Sequence, residues 1–280
     1  MDIKVGEINI VKKELSTSEL QHIEFRILQY IKKICESNQI QYYLVGGTAL
    51  GAIRHQGFIP WDDDVDIAML RDDYEHFCSV MEKDSSDYKL LSIKNNKKYS
   101  LPLAKVIDTN TVLYQLYQKD TCELGVYVDI FILDNVPQER ESQNKLVKGQ
   151  IVLDRLWNAA QNKDHSEDNK FKAVFKAVGR RILWIIGPRF FAKLLDKRAQ
   201  KYRYSDTNMC GSLTYSTIYG KSIYPKSFFS AGKKVLFEND EFIAPLLVEE
   251  YLKNDYGDYM QLPPIEKRIS HHDFVAYYKK

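Results

Sequence analysis

The sequence has few of the features that mark secreted and membrane proteins. Its four cysteines lie far apart, with no C-x-x-C pair and no histidine at zinc-finger spacing, which argues against a disulfide scaffold or a cysteine-based metal site. No run of about 18 apolar residues is present to span a bilayer, and the first residues lack the apolar segment of a secretory signal. We therefore expect an intracellular, cytoplasmic protein.

A large charge of either sign is also missing. The 40 lysine and arginine residues nearly balance the 38 aspartate and glutamate residues, which leaves a net charge of +2. This balance gives no reason to expect nucleic acid as a partner. Because 44% of the 280 residues are hydrophobic, the chain can bury a substantial core.

The first 138 residues alternate between helical and strand patterns. Apolar residues recur at helical spacing in 17–38 and 71–83, and another helix is expected to begin near Thr48. Strand patterns occupy residues 41–47, 64–70, 101–108, 111–118 and 125–134. The order of these elements predicts an α+β fold in which helices flank a mixed sheet.

Residues 139–205 are charged, helical in period and poor in strand signal. We interpret them as a basic helical insertion between a catalytic core, 1–138, and a C-terminal part that completes the active site, 206–280. Within 170–203, eleven lysines and arginines stand against one acid, Asp196, and alternate with apolar residues. Such a segment can lie on an anionic membrane surface. The alternative is that its apolar side packs on the sheet while its lysines are solvated.

The most informative stretch is "GGTALGAIRHQGFIPWDDDVDIAM", residues 46–69, which places four aspartates beside a strand pattern. On a strand, Asp64 and Asp66 project to one side and Val65 and Ile67 to the other. Two adjacent carboxylates are costly unless a cation neutralises them, and their hard oxygens suit Mg²⁺ or Mn²⁺. Because Mg²⁺ usually keeps waters and phosphate oxygens, we expect a phosphate ester or anhydride as substrate. The alternative is an acidic surface turn.

The residues around this stretch support phosphate chemistry. Gly46 and Gly47 let the backbone approach a ligand, and the N–H groups at the following helix start favour a phosphate. Asp129 lies in the middle of an apolar strand, where a charge is otherwise hard to explain. We expect it to be the third carboxylate, which bridges metals or takes a proton from an attacking hydroxyl. Asp134, beside Asn135, is expected to be a turn residue.

The stretch "YLVGGTALGAIRHQGFIPWDDDVDIAMLRDDYEHF" resembles the signature of the LicD family, relatives of fukutin-related protein in the nucleotidyltransferase (polymerase beta-like) superfamily. The segments "LPLAKVIDTNT", "GVYVDIFILD", "YPKSFF", "YLKNDYGDYMQLPP" and "KRISHH" extend the resemblance. It covers residues 15–135 and 212–275, and nothing in 139–205 takes part in it. The implied fold is the nucleotidyltransferase mixed sheet.

The resemblance implies a phosphotransferase that moves a phospho-alcohol, either phosphocholine or a polyol phosphate, from a CDP-activated donor. The implied acceptor is a hydroxyl of a glycan or lipid-linked oligosaccharide of teichoic acid, capsule or lipopolysaccharide type, and CMP is released. A lipid-linked acceptor would place the enzyme at the inner face of the cell membrane. Carried over by position, the metal ligands are Asp64, Asp66 and Asp129, and the phosphate-side turn is Gly46, Gly47 and Thr48.

Five more side chains are candidates for binding substrate. Arg54 and Lys105 could clamp the diphosphate, or could form ordinary structural ion pairs. Trp61 could stack on cytosine or face a quaternary ammonium, or could be a core aromatic. Arg268 and His271 belong to the tail motif, where they are expected to reach the donor or the acceptor.

Two other functions use the same residues differently. A nucleotidyltransferase would attack the α-phosphorus of a nucleoside triphosphate and release pyrophosphate. A non-enzymatic calcium-binding protein would need a ligand loop, and "DDDVDIAML" lacks the glycine and the distal glutamate of an EF-hand. We favour the phosphotransferase. The sequence does not identify its alcohol, because nineteen tyrosines permit a choline cage without locating one.

Overall fold

A computed structural model describes residues 13–115, 122–161, 181–214, 222–269 and 274–280. Its helices are α1 Thr17–Ser37, α2 Gly46–Arg54, α3 Arg71–Met81, α4 Arg140–Gln161, α5 Pro188–Ala199 and α6 Val248–Tyr256, and residues 181–186 are also helical. Its strands are β1 Tyr43–Leu44, β2 Asp66–Leu70, β3 Tyr88–Leu91, β4 Ala104–Asp108, β5 Thr111–Gln115, β6 Tyr127–Val136, β7 Met209–Ser212, β8 Ile223–Pro225, β9 Gly232–Phe237, β10 Asp240–Pro245 and β11 Phe274–Tyr278.

The long strand β6 organises the main sheet. It pairs in parallel with β2 along one edge, while β4 and β7 pair antiparallel with successive halves of its other edge. Strands β1, β3 and β8 extend this mixed sheet. In the described part of the chain, the β9–β10 hairpin and the antiparallel pair of the distant strands β5 and β11 form two further two-stranded sheets. The predicted α+β class, with helices around a mixed sheet, is confirmed.

The helices and strands with the strongest periodic sequence patterns are found where the sequence predicts them. Helix α1 begins with a capping box, in which the Ser16 N–H donates to Glu19 and the Glu19 N–H donates to the Ser16 hydroxyl. Its apolar stripe, which includes Ile23, Ile27 and Ile31, is buried in the core. Strand β6 is buried along most of its length because both faces of the sheet are covered.

Three sequence expectations were wrong in detail. Helix α2 begins at Gly46 rather than near Thr48. Strand β2 begins at Asp66, so Asp64 precedes the strand, because the chain before it turns, with the Asp62 N–H bonded to the Ile59 carbonyl. Asp134 lies within β6 instead of a turn, since a buried ion pair with Arg71 keeps the strand continuous there.

Helices α4 and α5 pack on each other and on the core. Trp157 of α4 lies in a buried cluster with Phe191 of α5, and its indole N–H donates to the Ser100 carbonyl at 2.8 Å. Arg189 donates to the carbonyls of Ile93, Asn96 and Tyr99. Whether 139–205 is a distinct insertion stays a prediction, and residues 170–180 of its basic segment lie outside the described residues. No helix in the described ranges is long and apolar enough to cross a membrane.

Candidate active site

Three charged side chains form a row across three neighbouring strands. Asp66 of β2 is in register with Asp129 of β6, and Asp129 is in register with Lys105 of β4. Lys105 Nζ lies 2.5 Å from Asp129 Oδ1, and both side chains are buried. The Lys105 ammonium also lies 3.3 Å from the centre of the Tyr127 ring. The row therefore contains two carboxylates and one cation that is already paired with one of them.

The electrostatic surroundings of Asp66 are unfavourable for its charge. Burial raises the pKa of this carboxyl well above its usual range, and the neighbouring Asp64, Asp129 and Asp62 raise it further. Lys105 opposes the shift without cancelling it. Negative charge is thus concentrated at this end of β2, and an added cation would relieve it.

Aspartate side chains lie directly against the backbone of the predicted Gly-Gly turn. Gly46 has a φ of +57°, and a Cβ on it would stand 2.6 Å from Asp66 Oδ2. A Cβ on Gly47 would stand 2.6 Å from Asp62 Oδ2. The Thr48 hydroxyl accepts a hydrogen bond from the Asp66 N–H at 2.8 Å. Both glycines are needed because carboxylates approach the backbone at the start of α2.

A second group of predicted residues gathers at the other end of α2. The Arg268 guanidinium lies 5.5 Å from the Trp61 ring centre, and His55 meets the same ring edge to face. Arg54 donates to the Tyr259 carbonyl at 2.8 Å. Partial burial lowers the pKa of Arg54, and so does the nearby Arg268. Arg268 therefore lies near the indole ring, and Arg54 lies close enough to Arg268 to feel its charge. His271 lies outside the described residues.

Sequence reasoning missed a cavity of about 240 Å³ that opens beside Asp66. Its walls are mainly aromatic and aliphatic, and they include Phe131, Tyr224, Phe229, Tyr251, Asp255 and Tyr256. The Tyr251 hydroxyl accepts a hydrogen bond from the Gly46 N–H at 2.9 Å, which ties α6 to the Gly-Gly turn. The segment "YLKNDYGDYMQLPP" was the available signal, since it contains three of these residues, but only the fold brings them to Asp66.

Glu24 was also missed. This α1 side chain is only 2% exposed, and its Oε2 atom has no hydrogen-bond partner among the described residues. Burial raises the pKa of Glu24 well above its ordinary value, and Asp64, Asp63, Asp62 and Asp66 raise it further. A fifth acid thus adjoins the aspartate stretch from the helix side.

The donor chemistry of this row fits a hard divalent cation. Among the described residues, no three acidic, histidine or cysteine side chains gather closely enough to hold a metal by themselves. Mg²⁺, however, is commonly bound by one or two carboxylates, with waters and substrate phosphates in its other positions. The excess negative charge around Asp66 is the feature that such an ion would compensate.

Comparison with known proteins identifies the family of this chain. The sequence model of the LicD/FKTN/FKRP nucleotidyltransferase domain matches residues 39–150, which include the whole carboxylate row. The lipopolysaccharide cholinephosphotransferase LicD of Haemophilus influenzae is 32% identical over 272 residues, covering 95% of this chain and 99% of the relative. The chain belongs to the LicD family.

More distant LicD relatives share a shorter segment. The human ribitol 5-phosphate transferase FKRP is 42% identical over 45 residues, 16% of this chain and 9% of that protein, and its mouse counterpart matches equally. The resemblance seen in the motifs is confirmed, and so is the expectation of a LicD-type transferase enzyme. The individual roles of the site residues stay predictions.

Proposed function

We propose that this member of the LicD family is a metal-dependent phosphotransferase. It moves a phospho-alcohol from a CDP-activated donor to a hydroxyl of a cell-surface glycan and releases CMP. The relatives support the reaction class, since one is named for transfer of phosphocholine to lipopolysaccharide and another for transfer of ribitol 5-phosphate. The observation that carries the proposal is the registered Asp66–Asp129 pair beneath the Gly-Gly turn.

The carboxylates divide the work in this proposal. Asp64 and Asp66 would hold Mg²⁺ or Mn²⁺, with Asp129 as the third carboxylate, and the ion when bound would neutralise the diphosphate charge. Asp129, fixed by Lys105, orients the acceptor hydroxyl and accepts its proton. The acceptor oxygen forms a bond to the alcohol-bearing phosphorus. The bond from that phosphorus to the bridging oxygen breaks, and CMP leaves with the electron pair.

The remaining predicted residues would bind the donor. Gly47 and Thr48 at the start of α2 present backbone N–H groups to a phosphate. Gly46, whose own N–H donates to the Tyr251 hydroxyl, lets the phosphate approach the backbone there. Arg54 and Arg268 supply positive charge for the diphosphate, and Trp61 offers a face for cytosine. The fold that we infer for this arrangement is the nucleotidyltransferase type, whose helix start and carboxylate strand lie side by side.

Contact with an anionic membrane surface through 170–203 is also part of the proposal. In its described part, Ile182, Trp184, Ile185, Ile186 and Phe190 are exposed. A patch of this kind next to lysines and arginines is typical of segments that lie on membranes. It would hold the enzyme near a lipid-linked acceptor.

The test is product analysis by mass spectrometry. The protein is incubated with Mg²⁺ or Mn²⁺, a surface-glycan acceptor extract and each of CDP-choline, CDP-ribitol, CDP-glycerol and the four nucleoside triphosphates. We expect CMP release that requires metal and acceptor, that disappears in Asp66→Asn and that persists in the surface variant Asp258→Asn. Release of pyrophosphate from a nucleoside triphosphate would instead establish nucleotidyl transfer.

A further inference from the structure

The aromatic cavity beside Asp66 has no part in the roles assigned so far. Its side nearest the Gly-Gly turn contains Asp66 and Gly46, and the cavity extends past Ala68 along the same face of the sheet. Phe131 and Leu133 continue this face on β6, and Ser212 adds a residue from β7. The cavity therefore begins at the proposed phosphate site and leads away from it.

Aromatic rings that pack on one another form one wall of this cavity, and hydrogen bonds fix two of them. Tyr224 donates to Asp255 at 2.8 Å, and its ring centre lies 5.2 Å from that of Tyr251 and 5.8 Å from that of Phe229. Tyr251 is held through the Gly46 N–H. Burial, and then the adjacent Asp255, raises the pKa of Tyr224 above its usual range, so its ring stays neutral at physiological pH.

Rings with a carboxylate beside them suit one kind of ligand group. The faces of neutral aromatic rings attract cations, and proteins recognise quaternary ammonium groups through aromatic side chains. Asp255 adds a negative charge at the same place. A polyol would instead need several hydrogen-bonding groups. Besides the Asp66 and Asp255 carboxylates, the described lining offers Ser212, Ser222 and three tyrosine hydroxyls, two of which are already engaged, and the rest of it is apolar.

The size of the cavity fits one end of a donor. Pockets that enclose drug-sized ligands measure roughly 300–1,000 Å³, and this cavity measures about 240 Å³. It can therefore take the alcohol end of a donor whose phosphates lie at Asp66, while the nucleotide remains outside.

We propose that this cavity is the binding site for the alcohol of the donor, and that it selects a quaternary ammonium alcohol over a polyol. The proposal rests on the proposed function for its orientation. The phosphate lies at Asp66, and the ammonium lies beside Asp255, against the wall that Tyr224, Phe229 and Tyr251 form. It makes Asp255 and Tyr224 specificity-determining residues.

The first measurement is calorimetric binding to the full-length protein without catalysis. The probes are phosphocholine, its neutral isostere 3,3-dimethylbutyl phosphate, and ribitol 5-phosphate. We expect phosphocholine to bind about tenfold or more tightly than the isostere, as cation–π and carboxylate attraction imply. Equal binding of the two would overturn the proposal, because the cavity would then be merely apolar. Stronger binding of ribitol 5-phosphate would also overturn it.

Two variants test the residues. Asp255→Asn keeps an acceptor for the Tyr224 hydroxyl, and Tyr224→Leu removes a ring; each should reduce the preference for phosphocholine over the isostere by about fivefold or more. The matched controls are Asp258→Asn, an exposed aspartate three residues further on, and Phe228→Leu, a ring next to Tyr224 that does not line the cavity. Equal effects in variants and controls would contradict the assignment.

Turnover separates this inference from the proposed function. CMP release from CDP-ribitol but not from CDP-choline would overturn the choice of alcohol and leave the phosphotransferase intact. The opposite outcome is also distinguishable. If phosphocholine binds more tightly than its neutral isostere, this preference requires Asp255 and no donor releases CMP, then the cavity assignment is supported and the phosphotransfer proposal fails.

Discussion

Asp66 and Asp129 are paired residues on adjacent parallel strands, and the Lys105 ammonium bonds only the second of them among the described contacts. The first carboxylate therefore carries the electrostatic cost of the site. Each unit by which folding raises the pKa of a carboxyl lowers the free energy of unfolding by about 1.4 kcal/mol, at pH values above the pKa of both the folded and the unfolded state. The concentration of negative charge at this site therefore lowers the stability of the folded protein.

This imbalance predicts opposite effects of Asp66→Asn on stability and on activity. In metal-free protein at neutral pH, the variant should unfold at a higher temperature than wild type, because folding no longer has to raise the pKa of a carboxyl at this half-buried position. Its transferase activity should fall by about 100-fold or more, the range found when one major electrostatic contact is lost. Thermal unfolding with a chelator and turnover with Mg²⁺ measure the two effects.

Asp129→Asn is the matched comparison. It should lose activity to a similar extent, yet it should not stabilise the protein, because it leaves the buried Lys105 without its counter-charge. A variant of Asp66 that keeps more than about a tenth of wild-type activity would contradict its assigned role.

Gly46→Ala should disturb the site specifically. The substitution meets a backbone penalty of roughly 1–2 kcal/mol at positive φ and also places a methyl group against Asp66 Oδ2. Gly257→Ala is the control, because its φ is +70° and the space that an added methyl group would occupy there is open. We expect similar losses of stability but a loss of activity at least tenfold greater for Gly46→Ala. Equal activities would show that the close approach does not matter.

Glu24 should make the protein less stable as pH rises. A carboxyl whose pKa is raised by folding keeps its proton in the native state where the unfolded chain has lost it, so the free energy of unfolding falls as pH rises above about 4.5. Glu24→Gln should reduce this slope between pH 5 and pH 8, measured by urea unfolding with a chelator. Glu36→Gln, at an exposed position of the same helix, should leave the slope unchanged.

Arg71 should be a strong determinant of stability. It forms a bidentate pair with Asp134 at 2.7 and 2.8 Å and also bonds Asp196 of α5 at 2.9 Å, so it joins α5 to the sheet. Arg71→Met leaves buried Asp134 without its partner and should cost roughly 3–5 kcal/mol. Arg203→Met removes a more exposed pair with Glu75 and should cost about 1 kcal/mol or less. Chemical unfolding compares the two, and equal costs would contradict the importance of burial.

The proposed membrane contact has its own test. Ile185→Ser should weaken binding to vesicles that contain anionic lipid, and so should replacing Arg181, Lys193 and Lys197 with glutamine. The control Ile265→Ser removes an equally exposed isoleucine elsewhere, 72% exposed against 73% for Ile185. Sedimentation with vesicles measures the bound fraction. Unchanged binding after loss of the three charges would exclude this segment as the contact.

Local patterns were enough to predict the elements that carry strong periodicity. Helix α1 and strand β6 follow directly from apolar spacing, and Asp129 was noticeable as a charge inside an apolar run. Glu24 occupies the buried face of α1, four residues after Leu20, but a glutamate there is indistinguishable from a solvated one until the aspartate stretch packs beside it. Whether such a glutamate is buried beside other charges depends on the tertiary packing, which local sequence patterns do not contain.

Long-range pairing explains what local patterns could not predict. The register of Asp66 with Asp129 depends on a parallel pairing between distant strands. The turn signal around Asp134 was overridden because Arg71 provides a buried partner. The cavity tyrosines come from the C-terminal third of the chain, within the segments "YPKSFF" and "YLKNDYGDYMQLPP". Nothing in these segments predicts that the tyrosines gather beside Asp66.

The hydrogen bond from Gly46 to Tyr251 joins residues 205 positions apart. During translation, the strand and turn that hold the carboxylates are therefore synthesised long before the helix that closes the cavity beside them. Because contacts this distant in sequence form late and slowly, a nascent chain would expose its acidic cluster without a completed donor pocket. The donor pocket would then be completed only after the C-terminal helix has left the ribosome.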